Sequence, residues 1–176
     1  MGDGNHSLAT AKACWEEIKA GLTAEEMENH PARFALVEVV NLYDEALAFE
    51  PIHRVIVGAD NAALLSLLKD AQPDVNAPVT FITKEGEVQL QGLPVHVLQP
   101  LLDEYLAAHP EAEIDYVHGD DAARTLGAKE NSCSLMLTTL DKLQLFPAVA
   151  LGPLPRKSFS MGEANEKRCY YECRAL

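Results

Sequence analysis

Two apolar stretches follow one another with only a short turn between them, and this arrangement limits the folds open to the chain. Residues 33–43 place apolar side chains on both faces, which predicts a central β-strand. After a turn at Asp44, residues 48–57 form a second predicted strand, in which Pro51 indicates an edge or a bulge. These adjacent strands and a hairpin predicted at 79–90 favour an α+β fold, with helices packed on a mixed β-sheet, over a doubly wound fold.

Helical periodicity, capping residues and short apolar runs predict the other elements. Helices are expected at 6–20, 23–29, 60–71, 100–109 and 120–127, with a helix or turn near 143–149. Further strands are expected at 114–117, 132–138 and 170–175. The segment 152–157 is predicted to be irregular, because its prolines have no backbone N–H to donate.

Length and charge limit the partners of the chain. It has 176 residues, 48% of them apolar, which indicates a single folded domain over 1–176. A net charge of −13 is expected to repel nucleic acid and anionic membrane surfaces. The chain could still bind a small anionic ligand at a place where nearby hydrogen-bond donors outweigh the overall negative electrostatic field. The sequence contains no apolar run of about 18 residues, so no membrane span is predicted.

The cysteines and the N-terminus indicate where the protein works. The four cysteines form no C-x-x-C pair, which favours reduced thiols in a cytoplasmic protein. The N-terminus has neither the basic stretch nor the apolar core of a signal peptide. It opens on a loop, although a phosphate-binding loop normally follows a strand. We therefore expect the C-terminal part of a longer protein, with its N-terminal half as a partner and self-association through the surface left uncovered.

The polar loop at the start of the chain is the first candidate site. Gly2 and Gly4 frame it, and it runs directly into the first predicted helix, where unpaired N–H groups and the helix dipole favour an anion. Between and after the glycines stand side chains that could bind a ligand or cap the helix, namely Asp3, Asn5, His6 and Ser7. The alternative is an ordinary turn with an N-cap.

Further candidates lie in the predicted strands. Glu38 interrupts an apolar run, so it marks either a sheet edge or a carboxylate held for function. His53 and Arg54 form a cationic pair inside an apolar strand, and at most one of them can point into a given pocket.

The last two candidates lie in turns. Asp120 follows His118 and could serve a metal–phosphate complex, although acids are favoured at a helix start in any case. Arg156 and Lys157 follow prolines in a stiff loop, where they either balance the acidic surface or reach an anionic ligand.

Four motifs in this order resemble a known family: Asp3–Ser7, Glu50–Arg54, Tyr116–Asp120 and Leu154–Phe159. Together they are similar to the C-terminal half of the domain-of-unknown-function family ten-fifteen. The resemblance spans nearly the whole chain. It implies a longer protein with a large segment before the Asp-Gly-x-His loop, and a distant relationship to the ParB/sulfiredoxin-like superfamily, which includes free-serine kinases.

The resemblance implies a small-molecule kinase-like enzyme that uses ATP or ADP with Mg²⁺. It carries the phosphate loop onto Asp3, Gly4, Asn5 and His6, while Ser7 departs from the arginine usual in the superfamily and so removes a phosphate contact. Cations that would neutralise the transferred charge are His53, Arg54, Arg156 and Lys157. An acid that would activate the acceptor hydroxyl is Asp3, Glu38 or Glu50, and Asp120 is the predicted metal ligand. The alternative is a non-catalytic ligand-binding or assembly module.

Overall fold

The computed structural model describes residues 4–71 and 76–162. These residues form two compact units, residues 4–41 and the described part of residues 42–167. The predicted site residue Asp3 and the predicted strand at 170–175 lie outside the described residues. Within the described ranges, no helix has the length and apolarity needed to cross a membrane.

The first unit consists of two helices and a short 3₁₀ turn. Helix α1 spans Asn5–Lys19, α2 spans Ala24–Glu28, and the 3₁₀ turn spans Pro31–Arg33. The predicted capping box is present, because the Glu26 N–H donates to the Thr23 hydroxyl and the Thr23 N–H donates to the Glu26 carboxylate. Both helix predictions for this part of the chain are confirmed.

The strand predicted at 33–43 is wrong. Residues 34–41 have no regular secondary structure, and Glu38 is exposed there instead of lying in a central strand. Their apolar side chains face solvent, with Leu36 and Val39 almost completely exposed. An apolar pattern predicts burial but does not supply a partner, and no strand of the described chain pairs with this segment. We call residues 34–40 the exposed apolar segment.

The second unit is built on an antiparallel sheet of order β3-β2-β5-β1-β4, with β6 pairing to the beginning of β1. Its strands are β1 Phe49–Val57, β2 Val79–Thr83, β3 Gly86–Leu90, β4 Glu113–His118, β5 Ser132–Leu137 and β6 Phe159–Met161. The predicted α+β class is therefore confirmed. Pro51 lies in the part of β1 that pairs only with β6, opposite Phe159, while the rest of β1 is central.

Helices cover both faces of this sheet. They are α3 Asn61–Asp70, α4 Val95–Ala108 and α5 Asp120–Gly127, while a further helix, α6 Leu145–Leu151, buries none of its residues. On one face, α3 and α4 bury Leu64, Leu68 and Leu98 with Phe81 of β2. On the other face, α5 buries Ala123 against β1, β2 and β5. Residues on alternate positions of each strand thus contribute to separate cores.

Helix α4 begins five residues before Pro100, where the sequence predicted its start. The prediction placed Pro100 at the first helical position, but α4 begins at Val95 with Pro94 as its N-cap, and Pro100 lies inside. Pro100 removes one backbone hydrogen bond. The helix continues through it because the buried side chains of Leu98, Leu102 and Tyr105 lie on both sides of that position.

Candidate functional site

The start of α1 is described from Gly4 onward, and Gly2 lies outside the described residues. Gly4 is the N-cap in the left-handed region, with φ 82°, and no side chain of the described residues caps the helix. A β-carbon placed on Gly4 would meet no atom of residues 4–71 or 76–162 within 4 Å, which leaves room for a ligand on the described side of this backbone. Asn5, His6 and Ser7 are exposed around it. The first turn of α1 therefore presents an open, positively polarised helix end.

A cavity of about 610 Å³ adjoins this helix within the same unit. Such a volume is in the range of small-molecule sites. The cavity is lined from α1 by Asn5, Leu8, Ala9, Ala11, Lys12 and Trp15, and from the following turn by Ala32, Arg33, Phe34 and Ala35. It therefore combines apolar and aromatic walls with two cations.

Sequence reasoning missed three of these lining residues. Trp15 was assigned to the apolar stripe of a helix, while Arg33 and Phe34 were assigned to the strand that does not form. The Arg33 guanidinium lies 5.8 Å from the centre of the Phe34 ring and donates to the Glu28 carbonyl at 2.9 Å. The order His30-Pro31 followed by Arg33 and Phe34 signals a turn bearing a cation and an aromatic ring, which could have indicated this wall.

In the second unit, the structure brings His53 and Asp120 together. His53 is 1% exposed, and its Nδ1 accepts the Leu137 N–H at 3.1 Å. The ring hydrogen therefore lies on Nε2, which donates to Asp120 Oδ1 at 2.9 Å. The Asp120 side chain is 68% exposed at the first position of α5. A buried imidazole thus orients a carboxylate that faces solvent.

Asp120 is the predicted metal ligand, and its oxygens are of the type that Mg²⁺ prefers. Nowhere in residues 4–71 or 76–162 do three or more His, Cys, Asp or Glu side chains form a group that could hold a metal ion. A magnesium ion at Asp120 would therefore take further ligands from phosphate oxygens and water, as is usual for this ion.

Arg54 is fully buried and its guanidinium is surrounded by acceptors. Nε donates to Gln99 Oε1 at 3.0 Å, and the terminal nitrogens donate to the carbonyls of Ile52, Lys157 and Arg156. The guanidinium also lies 4.9 Å from the centre of the Tyr116 ring. Loss of hydration lowers the pKa of Arg54 below its ordinary value. The Arg54 side chain is covered in this structure, and a direct contact between it and a ligand stays a prediction.

The other predicted cations and acids of this unit lie at the surface. Arg156 and Lys157 are exposed in the turn that Arg54 holds, and Lys157 adopts a left-handed φ of 57°. Glu50 is half-buried on β1, opposite Ser160 of β6. The structure therefore groups Arg54 with the backbone of Arg156 and Lys157, and His53 with Asp120.

One buried thiol, that of Cys133, lies on β5 opposite Ile56 of β1. Burial raises the pKa of Cys133 to about 12. A thiol that keeps its proton at neutral pH is a poor nucleophile, which indicates a structural role for Cys133.

The fold is similar to that of a known kinase. The chain matches a solved structure of a free serine kinase variant in complex with ADP, with a TM-score of 0.54 and 14% sequence identity. The match covers 70% of this chain and 57% of the kinase chain, so this chain spans little more than half of that protein. At this identity the likeness concerns the fold alone.

Two further comparisons concern the relatives and the family of the chain. The chain has no match among the curated proteins. Neither this result nor the kinase match supports the wider relationship to the ParB/sulfiredoxin-like superfamily, which stays a prediction. Residues 1–146, the larger part of the chain, match the model of the family described as "Protein of unknown function (DUF1015)". Three of the four motifs lie within the matched residues, and the chain belongs to this family, as the resemblance predicted.

Proposed function

We propose that this chain supplies the nucleotide-binding part of a small-molecule kinase-like enzyme. The observation that carries the proposal is the open N-terminus of α1, whose first residue, Asn5, also lines the 610 Å³ cavity. A helix end favours phosphate, and the adjoining cavity has room for a further part of the ligand. The similarity in fold to a kinase that was solved with ADP supports the same proposal.

The side chains of this unit fit a nucleotide. The backbone N–H groups at the start of α1 would hold a phosphate, with Lys12 and Arg33 adding positive charge in a chain of net charge −13. The Trp15 and Phe34 rings that line the cavity offer apolar surface for a base. ATP or ADP is therefore the cofactor that the residues fit. Phosphoryl transfer depends mostly on positioning and on stabilising charge, and Mg²⁺ supplies part of the latter when it is bound.

Calorimetry with ADP, with and without Mg²⁺, tests this proposal on the chain itself. We expect saturable binding that the Gly4→Trp variant abolishes, because an indole at the N-cap would block the helix end. Ala20→Trp places the same side chain at the other end of α1, where Ala20 is exposed, and should bind ADP like the parent chain. Equal affinity in the parent chain and in Gly4→Trp would refute a nucleotide site at α1.

A second candidate function, an assembly module, is favoured by the exposed apolar segment. Its side chains Phe34, Leu36, Val37, Val39 and Val40 are between 48% and 103% exposed. Contiguous apolar surface of this kind marks interaction sites. In this candidate, the segment forms a strand that pairs with further polypeptide of the same protein, and the 57% coverage of the kinase chain leaves room for such a part in a related fold.

A charged substitution distinguishes this candidate. Val39→Asp should leave the stability of this chain unchanged, since the side chain is 94% exposed. In a longer protein that contains the paired strand, the same change buries a charge and should lower the melting temperature strongly. Ala20→Asp, at an exposed position outside the segment, is the matched control. Unchanged melting of the longer protein carrying Val39→Asp would count against assembly, and concentration-dependent association of this chain would indicate a second copy as the partner instead.

A further inference from the structure

A buried arginine without an acidic partner lies beneath an exposed cationic turn. No carboxylate of the described residues lies within 4.0 Å of the Arg54 guanidinium, which instead donates to backbone carbonyls and to Gln99. Gln99 connects it further to Asp103 and Tyr116, at 2.9 Å and 3.2 Å. The positive charge of Arg54 is thus stabilised without a direct ion pair, by backbone and amide dipoles, the Tyr116 ring and the more distant Asp103 carboxylate, at a considerable cost in hydration.

This arginine sets the orientation of the turn above it. The carbonyl oxygens of Arg156 and Lys157 accept from Arg54 at 3.3 Å and 2.9 Å, so both point inward. In a trans peptide, the N–H of the next residue points in the opposite direction, which turns the N–H groups of Lys157 and Ser158 outward. Neither of these N–H groups has a hydrogen-bond partner among the described residues. The Ser158 hydroxyl instead donates to the Pro155 carbonyl at 2.6 Å.

The result resembles the anion-binding concavities that successive backbone N–H groups form in turns. Lys157 adopts the left-handed φ of 57° that such a turn requires. The exposed side chains of Arg156 and Lys157 extend from the same turn, and neither makes an ion pair within the described part of the chain. Two exposed cations therefore flank two outward N–H groups, above the buried Arg54, in a protein with a net charge of −13.

We propose that the turn at residues 155–158 binds a phosphoryl group, and that Arg54 is the positioning residue that gives the turn its binding conformation. A phosphoryl group has enough oxygens to accept from two backbone N–H groups and two side chains at once, whereas a carboxylate has two. This site lies in the second compact unit and does not depend on the nucleotide site proposed at α1. Its ligand is free phosphate or the phosphate of a larger metabolite.

Amide NMR with inorganic phosphate as the probe tests the proposal. We expect saturable shifts of the Lys157 and Ser158 amide signals in the parent chain. The double variant R156Q/K157Q should weaken phosphate binding at least about tenfold, since each charge-assisted contact contributes substantially. The exposed Lys129, which has no ion pair in the described part of the chain, provides the matched control, and K129Q should bind within about twofold of the parent.

The positioning role of Arg54 has its own test. R54K keeps the charge but loses the planar fork, so it should weaken phosphate binding while Arg156 and Lys157 are both still present. If R54K does not fold, R156Q/K157Q still decides the site, because both positions are exposed. Absence of shifts at Lys157 and Ser158, or equal affinities in K129Q and R156Q/K157Q, would overturn the proposal.

Two further titrations distinguish this site from the one at α1 and test whether its ligand is free phosphate or a nucleotide phosphate. Phosphate binding at the turn should persist in Gly4→Trp, whereas its loss there would overturn an independent site. ADP added to Gly4→Trp should shift the same two amides if the turn accepts a nucleotide phosphate. If inorganic phosphate alone shifts them, the ligand is the free ion.

Discussion

Helix α5 packs against β5 more closely than any side chain at residue 127 would allow. A β-carbon on Gly127 would lie 2.3 Å from Ser134 Oγ, 2.6 Å from Ser134 Cβ and 2.7 Å from Ser134 N. The hydroxyl could rotate away, but the backbone nitrogen cannot, so Gly127→Ala must push the helix off the sheet. Overpacking of this kind costs about 1–3 kcal/mol. Alanine regains roughly 0.5–1 kcal/mol of helix propensity, which leaves a net loss of up to about 2.5 kcal/mol, and three contacts under 3.0 Å favour the upper part of that range.

Urea unfolding followed by circular dichroism measures this loss. Ser134→Ala is the informative control, because the Ser134 hydroxyl is buried without a hydrogen-bond partner in the described structure. Its removal should leave the free energy of unfolding unchanged or raise it slightly. Gly127→Ala should still destabilise the Ser134→Ala protein, since Cβ and the backbone nitrogen of residue 134 remain. A Gly127→Ala protein as stable as the parent would refute the argument from close packing.

Three further predictions follow from the site. Above pH 9 the unfolded Cys133 thiol ionises, whereas burial keeps the folded thiol protonated to about pH 12. The free energy of unfolding should therefore fall by up to about 1.4 kcal/mol per pH unit between these pH values. Urea titrations of Cys133→Ala should lack this slope. Ser7→Arg should strengthen ADP binding about tenfold in calorimetry, by restoring a forked phosphate contact. His53→Leu leaves the buried Leu137 N–H without its acceptor and should cost about 1–3 kcal/mol in thermal unfolding, more than Asp120→Ala, whose carboxylate is 68% exposed.

Local signals in the sequence predicted most elements correctly. The side chain of Asp60 accepts from the N–H groups of Ala62 and Ala63, as an N-cap should, and α3 follows it. The hairpin of β2 and β3 and the end of α5 at Gly127 were also expected from turn and capping residues. Each of these features depends on residues only a few positions apart, which is the range over which a sequence pattern can be interpreted physically.

The site depends on contacts that no local pattern reveals. Arg54 meets the carbonyl of Lys157 across 103 positions of the chain, and His53 meets Asp120 across 67. The sequence identified these residues by their chemistry but could not pair them. The sequence also suggested a ligand contact for Arg54. In the structure its guanidinium is covered by backbone carbonyls and Gln99, and direct ligand binding stays a prediction.

The largest error in the sequence interpretation carries information of its own. The exposed apolar segment has the nearly continuous apolar composition of a strand buried on both faces, yet it faces solvent. A second surface shows the same conflict, since Leu143, Phe146 and Val149 lie three residues apart and are each at least half exposed around α6. The assembly candidate accounts for both conflicts, because natural sequences are locally consistent with their native environment and a covering partner would bury both surfaces. Phe34 lines the cavity beside α1 and also begins the exposed apolar segment. Polypeptide that covers this segment would therefore also complete the wall of the cavity. The nucleotide and assembly hypotheses are thus compatible in one protein.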